Sequence, residues 1–514
     1  MRDFRLTLIP MLLLLASCGG GGGSSGNSHA GQVVTPPAPP PSLRGQLIGA
    51  ATLVPVSIGS GVALNTVDAT QFKSLIDANV ELGSTITSTP TCGVTVYTVK
   101  YHTIDSAAAD TEASAAIYVP SGANPACQGG RPVMLYAHGT SVQKSYDMAK
   151  LSANEPLLIA GMFAGQGYIV VAPNYVGYAG SNAGYHPYLD AEQQSADMID
   201  ALRAARGVFG SISANASSRL MVSGYSQGGF VAMATQRAMQ TKHASEFAPT
   251  AVAPLSGPYA LTLFGDGIFG GAPSTGSAGF LPMLLSAGQR AGAGLYASSA
   301  DVYEPKYASG IESLLPGTQS LGSLAAAGLL PNDVLFAADS LPQVSGYASF
   351  FGADHLIKTS YRNSYLADLQ ANPCNAGSAA PLSCKPAHAL RKWLQKNDLR
   401  SYTPNVPMFL CGGDADPVVP YTNTSATAAY FRAQNVAGLN LTVLNLEDTS
   451  MLAPYATSRG QFAAAKFAAR TAALVSGSTA AAADQAVRDA YHAGLVAPFC
   501  LREARAFFDS APSR

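Results

Sequence analysis

The feature that most constrains this chain is Gly224-Tyr225-Ser226-Gln227-Gly228. An apolar run, Leu220-Met221-Val222-Ser223, leads into it, and a helical pattern follows through Val231-Ala232-Met233-Ala234 to about Thr241. A G-x-S-x-G turn between a buried strand and a helix holds its serine on a sharp, strained bend. Glycine is needed on both sides because a Cβ there would crowd the neighbouring strand or helix. The bend lifts the hydroxyl above the sheet edge, at a helix N-terminus whose N–H groups favour developing negative charge. Ser226 is therefore the candidate nucleophile. A hydroxyl is weakly nucleophilic and needs a base, usually a histidine oriented by a carboxylate.

Chain order in folds with this elbow is serine, acid, histidine. The acid is expected after a late strand, here in Cys411-Gly412-Gly413-Asp414-Ala415-Asp416-Pro417-Val418-Val419-Pro420. Asp416 opens a D-x-x-V-P run that resembles the acid position of many α/β-hydrolases. Asp414 competes with it, or serves the turn beside Gly413. Of the eight histidines only His492 follows this loop, which makes it the candidate base. Tyr491-His492-Ala493-Gly494 reads as the end of a helix, so a loop position is expected. The oxyanion hole needs the N–H after the nucleophile, Gln227, and one from the His138-Gly139-Thr140 loop, with Thr140 and Gly139 as candidates. His138 precedes Ser226 and ends a strand, so it is expected to shape that loop.

Around these residues, apolar strands are expected at Val94–Tyr101, Ala113–Val119, Val133–Ala137, Tyr168–Ala172, Leu220–Ser223, Thr250–Leu255, Val406–Cys411 and Leu439–Leu446. Helices are expected at Gln71–Leu82, Ala191–Arg206, Thr424–Gln434 and across Arg459–Ala490. Continuous apolar strands alternating with helices imply an α/β fold with a mostly parallel sheet covered on both faces. The alternation stops between Gly257 and Asn405, which reads as a large, mainly helical cap over the sheet's carboxyl edge. The expected division is core 43–256, cap 257–405 and core 406–514. Within the cap, Phe280-Leu281-Pro282-Met283-Leu284-Leu285 either lines an acyl pocket or packs only inside the cap.

Residues 1–17 read as a signal peptide: a basic start, then an apolar run from Leu6 to Ala16 that is too short to span a bilayer. Leu15-Ala16-Ser17-Cys18 resembles a bacterial lipobox, with Cys18 as the lipidated residue, and 18–42 is a Gly/Ser- and Pro-rich tether. The expected location is an exported lipoprotein at the outer membrane or cell surface. Six further cysteines in an exported chain suggest three disulfides. Sequence proximity suggests Cys92–Cys127 and Cys374–Cys384, leaving Cys411–Cys500. No metal-ligand spacing is visible, and a net charge of −1 without a basic run gives no footprint for nucleic acid.

Ala137-His138-Gly139-Thr140, Ala172-Pro173-Asn174-Tyr175-Val176-Gly177, His186-Pro187-Tyr188-Leu189, Asp200-Ala201-Leu202-Arg203, the Ser226 elbow and Asp416-Pro417-Val418-Val419-Pro420 occur in this order. Together they resemble the secretory lipase family of α/β-hydrolases, the group that includes the A-type lipase of Candida. Asn174 departs from the aspartate that related sequences more often carry. The resemblance implies carboxylester substrates, often with the acyl chain held under the cap, and no cofactor. Ser226, His492 and Asp416 would then form the triad of a serine esterase or lipase. Feruloyl, aromatic or polyester hydrolysis on the same fold, a peptidase, and a non-catalytic surface-binding lipoprotein are the alternatives.

Overall fold

A computed structural model describes residues 42–58, 61–374, 379–449 and 454–512. The expected signal peptide, Cys18 and the tether short of Ser42 lie outside the described residues. The strands are β1 (Thr52–Val54), β2 (Val56–Ile58), β3 (Val62–Leu64), β4 (Gly93–Ile104), β5 (Asp110–Ser121), β6 (Arg131–Ala137), β7 (Ile169–Pro173), β8 (Ala216–Tyr225), β9 (Ala251–Leu255), β10 (Met408–Gly412) and β11 (Leu441–Asn445). Nine of them form one sheet in the order β1-β4-β5-β7-β6-β8-β9-β10-β11, and β2–β3 is a separate hairpin. The sheet is antiparallel from β1 to β7 and parallel from β7 to β11.

Period-two alternation builds this sheet into two cores. On β6, Val133, Leu135 and Ala137 join one core while Met134 and Tyr136 join the other. On β8, Leu220 and Val222 face the first core and Met221 and Tyr225 the second. Helices Ala191–Val208 and Gln227–Lys242 cover the first face. Helices Ala69–Asn79, Asn154–Met162 and Ala497–Ser510 cover the second. Full burial of each such aliphatic or aromatic side chain is worth about 1.5–3 kcal/mol.

The cap region holds helices Leu261–Phe269, Ser277–Arg290, Thr359–Ala371 and Ala389–Asn397, with the short helices Pro305–Ala308 and Leu321–Ala326 and irregular chain between the second and third. Among its described residues it adds no strand to the sheet. Phe269, Leu285 and Trp393 belong to the same core as Val222, so the cap continues the first core. Inside the cap, Arg391 is fully buried between Asp266 and Asp368, at 3.0 and 2.8 Å.

Three local differences from the sequence expectations have physical causes. The first helix starts at Ala69, not Gln71, because Asp68 and Gln71 form a capping box. It stops at Asn79 because Val80 turns to extended backbone, φ −103°, ψ 129°. The Ala-rich stretch is not one helix: Gly477, at φ +92°, ends Ala456–Val475, and the Thr479 side chain caps Ala480–Ala490. His492 is not in a loop. Residues Tyr491–Val496 form a π-helical turn between Ala480–Ala490 and Ala497–Ser510. Such turns occur often at functional sites.

Candidate active site

The parallel strands deliver the candidate residues to one edge of the sheet. Ser226 follows β8 directly and caps helix Gln227–Lys242 at φ +60°, ψ −123°, a backbone that L-residues rarely hold. Close packing enforces the bend. A Cβ on Gly224 would lie 2.2 Å from the Gly228 carbonyl oxygen, and one on Gly228 would lie 1.9 Å from that of Ala137.

The acid loop follows β10. Asp416 is buried, while Asp414 is exposed and accepts a hydrogen bond from Asn445 Nδ2 at 2.8 Å. The Asp416 Oδ1 accepts from the Val418 and Val419 N–H groups, each at 3.0 Å. Its Oδ2 accepts from Ser256 Oγ at 3.0 Å and from His492 Nδ1 at 2.7 Å. Burial pushes the Asp416 carboxyl up, but the adjacent His492 imidazole and the two N–H groups outweigh it and hold the carboxyl below its ordinary range. The Cys411–Cys500 disulfide ties β10 to the helix just after His492. Cys92–Cys127 and Cys374–Cys384 are also bonded.

His492 is buried and its Nε2 makes no hydrogen bond among the described residues. Ser226 and His492 line one cavity of about 450 Å³. The structure thus joins the candidate base to the candidate acid, and brings His492 and Ser226 to a common space without a hydrogen bond between them. Such contacts are often long in ligand-free enzymes and tighten with substrate. Tyr225 OH donates to the His492 carbonyl, a second fastening for the π turn.

The oxyanion candidates divide. Gln227 opens its helix, so its N–H has no intrahelical partner. Gly139 N–H is committed to Glu155 Oε1 at 2.9 Å, whereas Thr140 N–H makes no hydrogen bond among the described residues. Thr140 is the better-placed loop donor. His138 is fully buried, stacks on Tyr175 at 4.1 Å and contacts the carbonyls of Gly139 and Asn174. It braces the loop, as its position before the nucleophile implies. Asn174 uses its amide fully, accepting from Met148 N–H and donating to Ser114 and Asp147. An aspartate could not make those two donations.

Sequence reasoning missed three contributors. Ser256 follows β9 and supports Asp416, but a serine after an apolar strand carries no distinguishing signal. Glu155 pins Gly139, and it opens a helix 16 residues later. His186 accepts from Gln227 Nε2 at 2.6 Å and contacts the Val176 carbonyl through Nδ1 at 2.8 Å. Only the fold brings these segments together. Burial lowers the His186 pKa to about 3.

A second, narrow space of about 70 Å³ is also lined by Ser226. Leu261, Ile268, Phe280, Leu281 and Leu284 from the cap line it with Val418 and Val419. Phe280 and Leu281 therefore line the space beside Ser226 as well as packing within the cap. Among the described residues no group of side chains could hold a metal ion, and no helix is long and apolar enough to cross a membrane.

Residues 144–267, which span the Asn174 turn and the elbow, match the secretory lipase family. The chain has the α/β-hydrolase fold. It is similar to the rice cell wall degrading esterase LipA from Xanthomonas oryzae, at 26% identity over 79% of this chain and 91% of that one, with a TM-score of 0.62. A putative hydrolase from Legionella pneumophila shares the fold at 17% identity, 90% and 97% coverage and a TM-score of 0.62. Candida antarctica lipase A aligns at 15% identity over 78% of this chain and 76% of its own, with a TM-score of 0.45, too distant to add weight. No curated protein sequence matches the chain. The local family match and the esterase neighbour make this chain a carboxylic ester hydrolase.

Proposed function

We propose that Ser226, His492 and Asp416 form the catalytic triad of this ester hydrolase. The observation that carries the reading is the 2.7 Å bond from His492 Nδ1 to buried Asp416, with Nε2 left free in the cavity that Ser226 lines. Asp416 accepts from Nδ1–H and so leaves Nε2 as the basic nitrogen. Nε2 takes the Ser226 proton as Oγ adds to the ester carbonyl, then gives it to the departing alcohol. Water repeats the sequence on the acyl-enzyme. The N–H groups of Gln227 and Thr140 stabilise the tetrahedral oxyanion.

The narrow apolar space under the cap takes the acyl group, and the wider cavity at His492 takes the alcohol. The base must protonate the leaving oxygen, so the alcohol belongs on its side. Similarity to a cell-wall-degrading esterase favours cell-wall esters, including aromatic ones, as a second reading of the substrate. Fluorophosphonate labelling with peptide mapping tests the enzyme claim. Label on the peptide containing Ser226, absent from Ser226→Ala, supports it, and label elsewhere overturns it. For export, the leader and Cys18 support a lipid-anchored protein. Metabolic labelling with palmitate should mark the chain and fail in Cys18→Ser.

A further inference from the structure

The alcohol side of Ser226 carries charge that the triad does not use. Glu81, Glu155 and Asp489 line the cavity that holds Ser226 and His492, and among the described residues no lysine or arginine does. Their placement is close. Glu155 reaches the oxyanion loop through Gly139 N–H. Glu81 Oε2 lies 3.7 Å from where a Cβ on Gly494 would stand, two residues beyond the base. On the cap side, Asp333 is half-buried, and burial together with the charge of Asp489 raises its pKa. None of these four carboxylates forms a salt bridge among the described residues.

The fold also holds the innermost carboxylate in place. Glu155 Oε1 accepts from Tyr136 OH and Gly139 N–H, both at 2.9 Å, and Oε2 accepts from Tyr146 OH at 2.7 Å. Three donors fix the position of this half-buried carboxylate. The independent sign that a ligand belongs here is His492 Nε2, buried, unpartnered and facing the same cavity. Whatever fills the cavity meets the base. Tyr136 and Tyr225 add aromatic surface to the wall, which suits an ammonium group. Among the described residues the narrower space beside Ser226 has no charged lining residue.

We propose that this enzyme selects esters whose alcohol carries a positive charge, an ammonium-bearing alcohol held by Glu81, Glu155 and Asp489. The proposal rests on the triad reading above. In the acylation step the Ser226 Oγ–carbonyl bond forms and the bond from carbonyl carbon to alcohol oxygen breaks. The Ser226 proton passes through His492 Nε2 to that oxygen, and the ammonium is unchanged. The carboxylates concentrate the cation at the cavity mouth and hold it beside the base. An anionic alcohol meets unneutralised carboxylates and is disfavoured.

The experiment compares butyryl esters of choline, of 3,3-dimethylbutanol (the same shape without charge), of glycerol and of 2-hydroxyethanesulfonate. The expected order of kcat/KM is cationic first, the two neutral esters next and anionic last, with choline ahead of its isostere by about tenfold or more at low salt. Raising salt from about 20 mM to about 0.5 M should shrink that ratio, because the rim carboxylates are exposed and screened. Glu81→Gln and Asp489→Asn should each lower the choline-to-isostere ratio, which is taken within one variant so that any general loss cancels. Equal rates for choline and its isostere, or preference for the glycerol ester at every salt concentration, would overturn the proposal. If p-nitrophenyl butyrate is still hydrolysed in that case, the triad reading stands alone. If Ser226 also resists fluorophosphonate, both readings fall.

Discussion

The sheet-edge floor of the site and the cap above it are held in different ways. On the floor, polar atoms are fixed many times over. Asp416 has four hydrogen-bond contacts, His492 is held by its ring and its carbonyl, and a disulfide spans the two segments. In the cap, the walls nearest Ser226 are mainly apolar side chains with interchangeable shapes. Directional bonds fix a geometry to fractions of an ångström, whereas apolar contact fixes a volume. The floor should therefore set whether the reaction proceeds, and the cap should set which acyl group is accepted.

The largest expected effects fall on the floor. Ser226→Ala should lower kcat for a p-nitrophenyl ester by about 10⁴-fold or more, leaving the circular dichroism spectrum unchanged. Substantial residual turnover would remove the serine from the mechanism. Next comes the choice of acid. Asp416→Asn should cost about 10³- to 10⁴-fold in kcat, since an asparagine can hold the wrong imidazole tautomer. Asp414→Asn should stay near the parent, because Asp414 is exposed and bonded to Asn445. Steady-state kinetics on the two variants decides between them, and equal losses would break the assignment.

The same division governs what could be read from the chain. Ser226, Asp416 and the strands around them were legible because local rules act on contiguous residues: a glycine-framed bend, apolar runs, a proline-bounded loop. His492 was reachable through chain order, but its π turn was not, since that geometry comes from Tyr225 OH and Asp416 holding it from other segments. Ser256 and Glu155 were invisible for the same reason: each acts on a residue brought near only by the fold. The cap was legible only as a break in the strand series. Its buried Arg391 cluster joins Asp266 and Asp368 across more than a hundred residues at one contact, and no periodicity marks such a pair.

Two stability measurements sharpen the contrast. Cys411 and Cys500 close a loop with a sequence separation of 89, so replacing both with alanine should cost about 2–5 kcal/mol in denaturant unfolding. Activity should fall earlier in the titration than the far-ultraviolet signal, since the bond holds acid and base segments together. A simultaneous loss would mean the bond serves the whole fold and not the floor in particular. A smaller effect comes from acid. His186 is buried neutral with its pKa lowered to about 3, while an unfolded histidine titrates near 6.5. The unfolded chain then binds the extra proton between those values, so stability falls as pH drops through that window. By pH 5 the loss is about 2 kcal/mol. Chemical denaturation of His186→Gln at pH 7 and pH 5 should show a shallower pH dependence than the parent, and an unchanged slope would assign the acid sensitivity to other groups.

The smallest effect tests the cap. Leu281 lines the acyl space beside Phe280, and removing most of its side chain lengthens the apolar contact available to a chain by a few methylenes. Leu281→Ala should move the optimum of kcat/KM toward longer p-nitrophenyl acyl esters, changing the ratio of long to short chain by about tenfold. The acetyl ester, too short to reach Leu281, should be hydrolysed at nearly the parental rate. A uniform loss across all chain lengths would mean that the cap also positions the floor. The division would then fail, because an apolar wall would be setting the geometry of Ser226 itself. A shifted optimum with unchanged acetyl turnover keeps the two roles separate, with strand ends fixing the chemistry and the cap measuring the acyl chain.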